Sequence, residues 1–284
     1  MNEVSPTEIE IKSPHFRYAA RKWGNPEGEP VLALHGWLDS AASFDHLAPL
    51  LPDMQLVALD FPGHGFSAHR PMGVRYHYLD YVDDVATVAD ALKWERFTLL
   101  GHSLGAGVAS YFAGALPERV SKVVLIEGLG AMSRDPEKAP TYLAQSIKQM
   151  RNVNLKTPPV YKNEEEMVEA RAKVGDMKES SVRTLVSRGV VQLEDGISWR
   201  SDPRLRVTSP GYQTDQHVTA FLAAIEAPVL LILAEKGIFA DKDALQWRIE
   251  QVKSLKQIEL PGSHHLHLDD PEPVAEAIKA FLTQ

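Results

Sequence analysis

The pentapeptide Gly101-His102-Ser103-Leu104-Gly105 carries the clearest chemistry in this sequence. A serine spaced G-x-S-x-G can sit on a turn so tight that only glycine avoids a clash. Its own backbone is then strained and its hydroxyl is projected outward. The context fits a nucleophile elbow, because an apolar run at 97–100 precedes the motif and a helical pattern at 104–116 follows it. A serine hydroxyl is a poor nucleophile until a base takes its proton and an acid orients that base. Eleven histidines are available. His264 is the candidate base, from the block Pro261-Gly262-Ser263-His264-His265-Leu266-His267-Leu268-Asp269-Asp270-Pro271. It lies between the last apolar run and the last helical pattern, so a strand end can aim it at Ser103. His265 and His267 read as packing or supporting side chains. His264, His267 and Asp269 are metal-ligand types, but the serine already gives His264 a role. Neither a metal nor a cofactor is expected.

A third element is His35-Gly36-Trp37-Leu38-Asp39, directly after the apolar run 30–34. At such a strand exit the backbone N–H of Trp37 can join that of Leu104 in holding a developing oxyanion. Glycine there also serves a tight exit, and the two readings are compatible.

These groups need strand ends to hold them. Short apolar runs at 30–34, 56–59, 97–100, 123–126, 229–233 and 257–260 read as buried parallel strands, and 9–11 with 16–20 as an antiparallel pair at the sheet edge. Helical patterns at 79–92, 104–116, 241–252 and 274–282 fall between or after them. Alternating strands and helices give an α/β fold with a mostly parallel, doubly wound sheet. The alternation breaks between Gly128 and Ala227. Helices are expected there at 141–150, 164–174 and 180–187, then a hairpin-like stretch around 190–205 turning at Asp195-Gly196. This segment is too long for a loop. The expected division is a core of 1–128 and 223–284 and a mainly helical cap inserted at 129–222.

With 284 residues, 44% hydrophobic and 24% charged, the chain suits one large domain with an insertion. A formal net charge of −8 argues against nucleic-acid binding. The absence of cysteine excludes disulfides, thiolate zinc sites and a cysteine nucleophile. Neither a signal-like leader nor an apolar stretch of membrane-spanning length is present, so a cytoplasmic protein without membrane partners is expected. A monomer or homodimer is the default. An oxidoreductase on a dinucleotide fold is excluded, because no G-x-G-x-x-G follows the first parallel strand.

Taken together, these motifs resemble the α/β-hydrolase superfamily, in its capped branch with epoxide hydrolases and haloalkane dehalogenases. The resemblance covers nearly the whole chain and includes Leu59-Asp60-Phe61-Pro62-Gly63-His64-Gly65-Phe66-Ser67. His35-Gly36-Trp37-Leu38-Asp39-Ser40, Ser43-Phe44-Asp45 and Ala91-Leu92-Lys93-Trp94-Glu95-Arg96-Phe97 are most similar to the serine hydrolase-like proteins. The family implies a Ser–acid–His triad in that chain order, which Ser103 and His264 match. The acid departs from the pattern. It usually follows the strand read here at 229–233, and Gly237 stands where it is expected. Glu127, at the end of the 123–126 strand, and Asp241 both preserve the order. Glu127 is favoured because a strand end is already on the reactive edge, whereas Asp241 is suited to capping a helix.

The expected activity is cofactor-independent serine hydrolysis of a small or medium carboxylic ester through an acyl-enzyme. Catalytic residues would be Ser103, Glu127 and His264, with the N–H groups of Trp37 and Leu104 as oxyanion donors. A thioesterase, lactonase or carbon–carbon bond hydrolase would use the same groups. Dehalogenase and epoxide hydrolase chemistry needs a carboxylate nucleophile where Ser103 stands. From a different class, a non-catalytic ligand-binding protein on this fold is favoured only by the gap at Gly237. Three further groups have plain readings. Asp60 shapes a turn behind the pocket, and Glu164-Glu165-Glu166 suits a helix start. Arg200, Asp202, Arg204 and Arg206 form a solvated cap surface or an interdomain ion-pair cluster.

Overall fold

A computed structural model describes residues 5–153, 158–239 and 243–283. One eight-stranded sheet is built from β1 (Thr7–Lys12), β2 (Arg17–Gly24), β3 (Pro30–Leu34), β4 (Gln55–Leu59), β5 (Phe97–His102), β6 (Val120–Ile126), β9 (Val229–Lys236) and β10 (Leu255–Ser263). Its order is β1-β2-β4-β3-β5-β6-β9-β10. The β1–β2 and β2–β4 pairs are antiparallel, and every other pair is parallel. The central strands are apolar on both faces because helices cover both. Leu32, Leu99, Val123 and Leu231 face α1 (Tyr78–Ala91) and α2 (Leu104–Ala115). Their neighbours Val31, Leu100, Val124 and Ile232 face the other way, toward Val274, Ile278 and Phe281 of α9 (Pro271–Leu282). A period of two thus splits one apolar run between two cores.

Between β6 and β9 lie α3 (Ala139–Asn152), α4 (Glu164–Ala172), α5 (Glu179–Gly189) and the hairpin β7 (Val190–Leu193) and β8 (Gly196–Trp199). Asn163 starts α4 by accepting the N–H of Glu166, and Glu164, Glu165 and Glu166 fill its first turn. Met167, Val168, Val182, Val186 and Ile197 form a small core of their own. The last helix of this stretch, α6 (Asp215–Ala223), packs differently. Its Val218 and Leu222 join the main core, and Phe221 stacks on Tyr111 of α2 at 4.0 Å. Beyond β9, α7 (Asp243–Ile249) and the short α8 (Leu266–Asp269) precede α9.

The hairpin corrects one expectation. Leu193 pairs with Gly196, so the turn is Glu194-Asp195 rather than Asp195-Gly196. The cause is a third segment. The backbone of Tyr161 exchanges hydrogen bonds of 2.8 and 2.9 Å with that of Ile197, which draws Gly196 into the ladder. Gly196 takes φ +147 there, and a Cβ would lie 2.4 Å from the Tyr161 carbonyl oxygen.

The inserted helices are joined to the sheet by buried charge. Arg188 of α5 and Asp60 after β4 are both fully buried. Arg188 donates to the Asp60 carboxylate at 2.8 and 3.0 Å, and its guanidinium lies 4.3 Å over the Phe66 ring. Asp60 also accepts the N–H groups of Ala41 and Phe66 at 2.7 and 2.8 Å. It therefore shapes the expected turn and anchors an insertion helix as well. Asp202 and Arg204 form a second buried pair. Arg204 donates to the carbonyls of Arg70, Pro71 and Val74, so these two residues are an insertion-to-core cluster, not a solvated surface. Arg188→Met should lower the unfolding free energy by about 3–5 kcal/mol in urea titrations, because it leaves the Asp60 charge buried without a cation.

Candidate active site

The register across β5, β6 and β9 explains how distant residues meet. His102, Ile126 and Ile232 lie in line, so the residues that follow them leave the sheet at one level. Ser103 N–H donates to Ile126 O at 2.9 Å, and Glu127 N–H donates to Ile232 O at 2.9 Å. Both residues are non-glycine yet adopt positive φ, +51 at Ser103 and +52 at Glu127. For L-residues this region is costly and is held only where the surroundings leave no alternative. At the elbow, a Cβ on Gly101 would meet Gly105 O at 2.5 Å, and one on Gly105 would meet Leu34 O at 2.0 Å. The two glycines let α2 approach the sheet edge, and the serine absorbs the strain.

Ser103, His264 and Glu127 are brought into one chain of hydrogen bonds. His264 Nε2 lies 3.0 Å from Ser103 Oγ, and His264 Nδ1 lies 3.1 Å from Glu127 Oε2. Glu127 is fully buried, and two backbone N–H groups donate to its carboxylate. Ala234 donates to Oε1 at 2.8 Å and Ile238 donates to Oε2 at 2.9 Å. With the Nδ1 partner a carboxylate, the imidazole keeps its proton on Nδ1. Its Nε2 lone pair then faces the serine hydroxyl. Asp241 lies outside the described residues.

The strand-exit elements sit beside this chain. Gly105 N–H donates to His35 O at 3.1 Å, which ties the start of α2 to the loop that carries Trp37. The N–H of Leu104, first in α2, has no intrahelical acceptor to satisfy it. The Trp37 indole N–H donates to Leu205 O at 3.1 Å, linking this loop to the insertion. Ser103, His264 and Trp37 border a cavity of about 1000 Å³. Its other walls come from α3, α4, the hairpin and the segment through Arg206.

Residues 29–271, most of the chain, match the family model for the alpha/beta hydrolase fold. The chain belongs to the α/β-hydrolase family. Within it the chain is similar to a serine hydrolase-like protein of Danio rerio, 34% identical with 97% of this chain and 88% of that protein covered. It is also similar to serine hydrolase-like protein 2 of Homo sapiens, at 35% identity with 97% and 94% covered. A crystal structure of a hypothetical protein from Pseudomonas aeruginosa PAO1 superposes with a TM-score of 0.94 at 44% identity, covering 98% of this chain and 99% of that one. This chain is thus a serine hydrolase-like α/β hydrolase.

Against the usual family pattern, Gly237 is the point of departure, and the geometry gives its reason. A Cβ on Gly237 would sit 2.2 Å from Glu127 Oε2. The carboxylate occupies the space a side chain would need, so a side chain at 237 would require Glu127 to move from its present position. Gly237→Ala should push Glu127 away from His264 and lower the rate of Ser103 phosphonylation by a fluorophosphonate, measured by intact mass, with little change in far-UV circular dichroism.

A wider histidine cluster lies behind His264, and sequence reasoning missed its centre. His102 is fully buried, its ring 4.7, 5.0 and 4.2 Å from those of His264, His265 and His267. Its Nε2 donates to the His264 carbonyl at 2.9 Å and so fixes the backbone of the candidate base. The only sequence signal for this role was its place inside the G-x-S-x-G string. Metal-ligand types also meet here. Donor atoms of Asp39, His102 and His265 lie within 4.8 Å of one another, but Asp39 already pairs with His265 and with Arg171 of α4, each at 3.1 Å. The His264, His267 and Asp269 grouping does not form. His267 Nε2 bonds Ser43 Oγ at 2.8 Å, and Asp269 accepts the Lys178 N–H at 3.0 Å.

Burial sets the protonation of this region. His35 is pushed down to about 4 and His64 to about 3, and burial with neighbouring imidazoles holds His102 and His267 well below the usual histidine range. In the unfolded chain all four titrate near pH ~6.5. Below that pH the unfolded chain binds more protons, so stability falls as pH falls. Asp84, raised to about 6 by burial, works in the opposite direction with one proton. Net uptake on unfolding is then roughly three protons near pH 5. The unfolding free energy should drop by roughly 6 kcal/mol between pH 7 and pH 5 in urea titrations.

Proposed function

We propose that this protein is a serine hydrolase that cleaves carboxylic esters of small or medium acyl groups through an acyl-enzyme. The observation that carries the reading is the chain Ser103 Oγ, His264 Nε2, His264 Nδ1 and Glu127 Oε2, at 3.0 and 3.1 Å. As Ser103 attacks the carbonyl carbon, His264 Nε2 takes the hydroxyl proton. The imidazolium formed is stabilised by Glu127, which remains ionised throughout. The N–H groups of Trp37 and Leu104 receive the tetrahedral oxyanion. His264 returns its proton to the leaving alkoxide, then removes one from the water that attacks the acyl carbon and hands it to Ser103 Oγ as the acyl–oxygen bond breaks. Thioester, lactone and carbon–carbon bond substrates would engage the same groups. The wide cavity supports a substrate larger than an acetyl ester.

Residues 129–222 act in this reading as the cap, with α6 as the leg that returns the chain to the core. The carboxylate that Gly237 lacks is supplied by Glu127, which supports catalysis over mere ligand capture. A fluorophosphonate should add once, at Ser103, and the adduct should vanish in Ser103→Ala and His264→Ala. Glu127→Gln should lower kcat on the best ester of a small panel by on the order of 10³–10⁴. A Ser103→Ala variant with full turnover would overturn the assignment.

A further inference from the structure

The cavity has a charge that its substrate must answer. Four ionised side chains border it apart from the histidines: Asp39, Lys148, Arg171 and Arg206. Asp39 is taken, holding Arg171 and His265 at 3.1 Å each. Glu127, beneath the cavity, is taken by His264 and two backbone N–H groups. Among the described residues, Arg206 and Lys148 have no carboxylate partner. Arg206 is exposed, and it borders the cavity. Its guanidinium is also crowded, because burial by the surrounding wall and the nearby Arg171 charge both disfavour its ionised form. The contrast with its neighbour Arg204, satisfied by Asp202 and three carbonyls, is sharp. An arginine without a carboxylate partner, on the wall of a cavity that opens on Ser103, leaves its donors open to an anionic group.

We propose that the substrate carries an acidic group away from its scissile bond, and that Arg206, with Lys148 lining the same cavity, receives it. This rests on the serine hydrolase reading above and narrows it to anionic acyl compounds. The planar guanidinium offers two parallel N–H donors to a carboxylate or phosphate, and a lysine adds a point charge. Binding there would spend energy remote from the reaction on orienting the carbonyl over Ser103.

The test compares two kinds of acidic substrate with neutral controls. 4-Nitrophenyl half-esters of glutaric and adipic acid put a carboxylate on the acyl side, and S-butyryl phosphopantetheine puts a phosphate on the leaving group. Their controls are the methyl-capped half-esters and S-butyryl pantetheine. At least one acidic series should exceed its neutral control by about 10- to 100-fold in kcat/KM, mainly through KM, the range for a charge-assisted hydrogen-bond pair. The series that does so identifies the anion. Arg206→Gln should bring that ratio close to one, and Arg206→Lys should restore part of it. Neutral compounds turned over as well as acidic ones, or a ratio indifferent to Arg206→Gln, would overturn the proposal. If no ester is cleaved and Ser103 takes no fluorophosphonate, the hydrolase reading fails separately. The anion site is then judged by Tm. Monomethyl adipate, but not dimethyl adipate, should raise Tm in the wild type and not in Arg206→Gln, and equal shifts would refute it.

Discussion

The Cα of Gly105 lies so close to the Leu34 carbonyl that a methyl group there would sit 2.0 Å from the oxygen. This approach puts the first turn of α2 against the edge of β3. It brings the first N–H of that helix beside the Trp37 loop, secured by the Gly105 to His35 bond. It also leaves the chain one residue in which to turn from strand to helix. Ser103 takes that turn at φ +51 and ψ −112. The backbone strain is offset by the packing of α2, whose buried face includes Val108, Tyr111 and Phe112. A larger residue at 105 would lift the helix, relax the serine and separate the groups together.

The same economy governs the acid. Ser103 and Glu127 leave adjacent parallel strands at one level, each with its N–H on the next strand's carbonyl. A glutamate in that position reaches under His264 without any loop. Its cost is a buried charge, offset by two N–H groups from the β9 exit and by the imidazole. A carboxylate in this position leaves no room for a side chain at 237, and the sequence has glycine there.

Strands, helices and their order were readable because burial on both faces imposes continuous apolar runs on parallel strands, and the runs at 123–126 and 229–233 are unambiguous. Ser103 and His264 were readable from motif and position. The choice of Glu127 over Asp241 followed from a strand end needing no rearrangement, yet nothing in one dimension showed that Gly237 makes room for it. Other features depended on long-range partners and left no local trace. The hairpin register is set by Tyr161, some thirty residues upstream. Arg188 sits in an ordinary amphipathic helix, and its partner Asp60 is 128 residues away. Helix α6 escaped notice because Thr214 and His217 form its capping box in an unusual serine/threonine–histidine form.

The segment between β6 and β9 meets the core through the apolar side chains of α6 and, elsewhere, through directional contacts. Arg188 with Asp60, Arg171 with Asp39, Arg204 with the 70–74 loop, and Trp37 with Leu205 are all charged or polar. Apolar surfaces can slide over one another at little cost, whereas a buried ion pair breaks expensively and so fixes one relative placement. Met167, Val182 and Ile197 give this segment a small apolar core of its own. A cavity wall attached this way can change its lining residues, and with them the substrate, while the strand ends below keep Ser103, His264 and Glu127 in place.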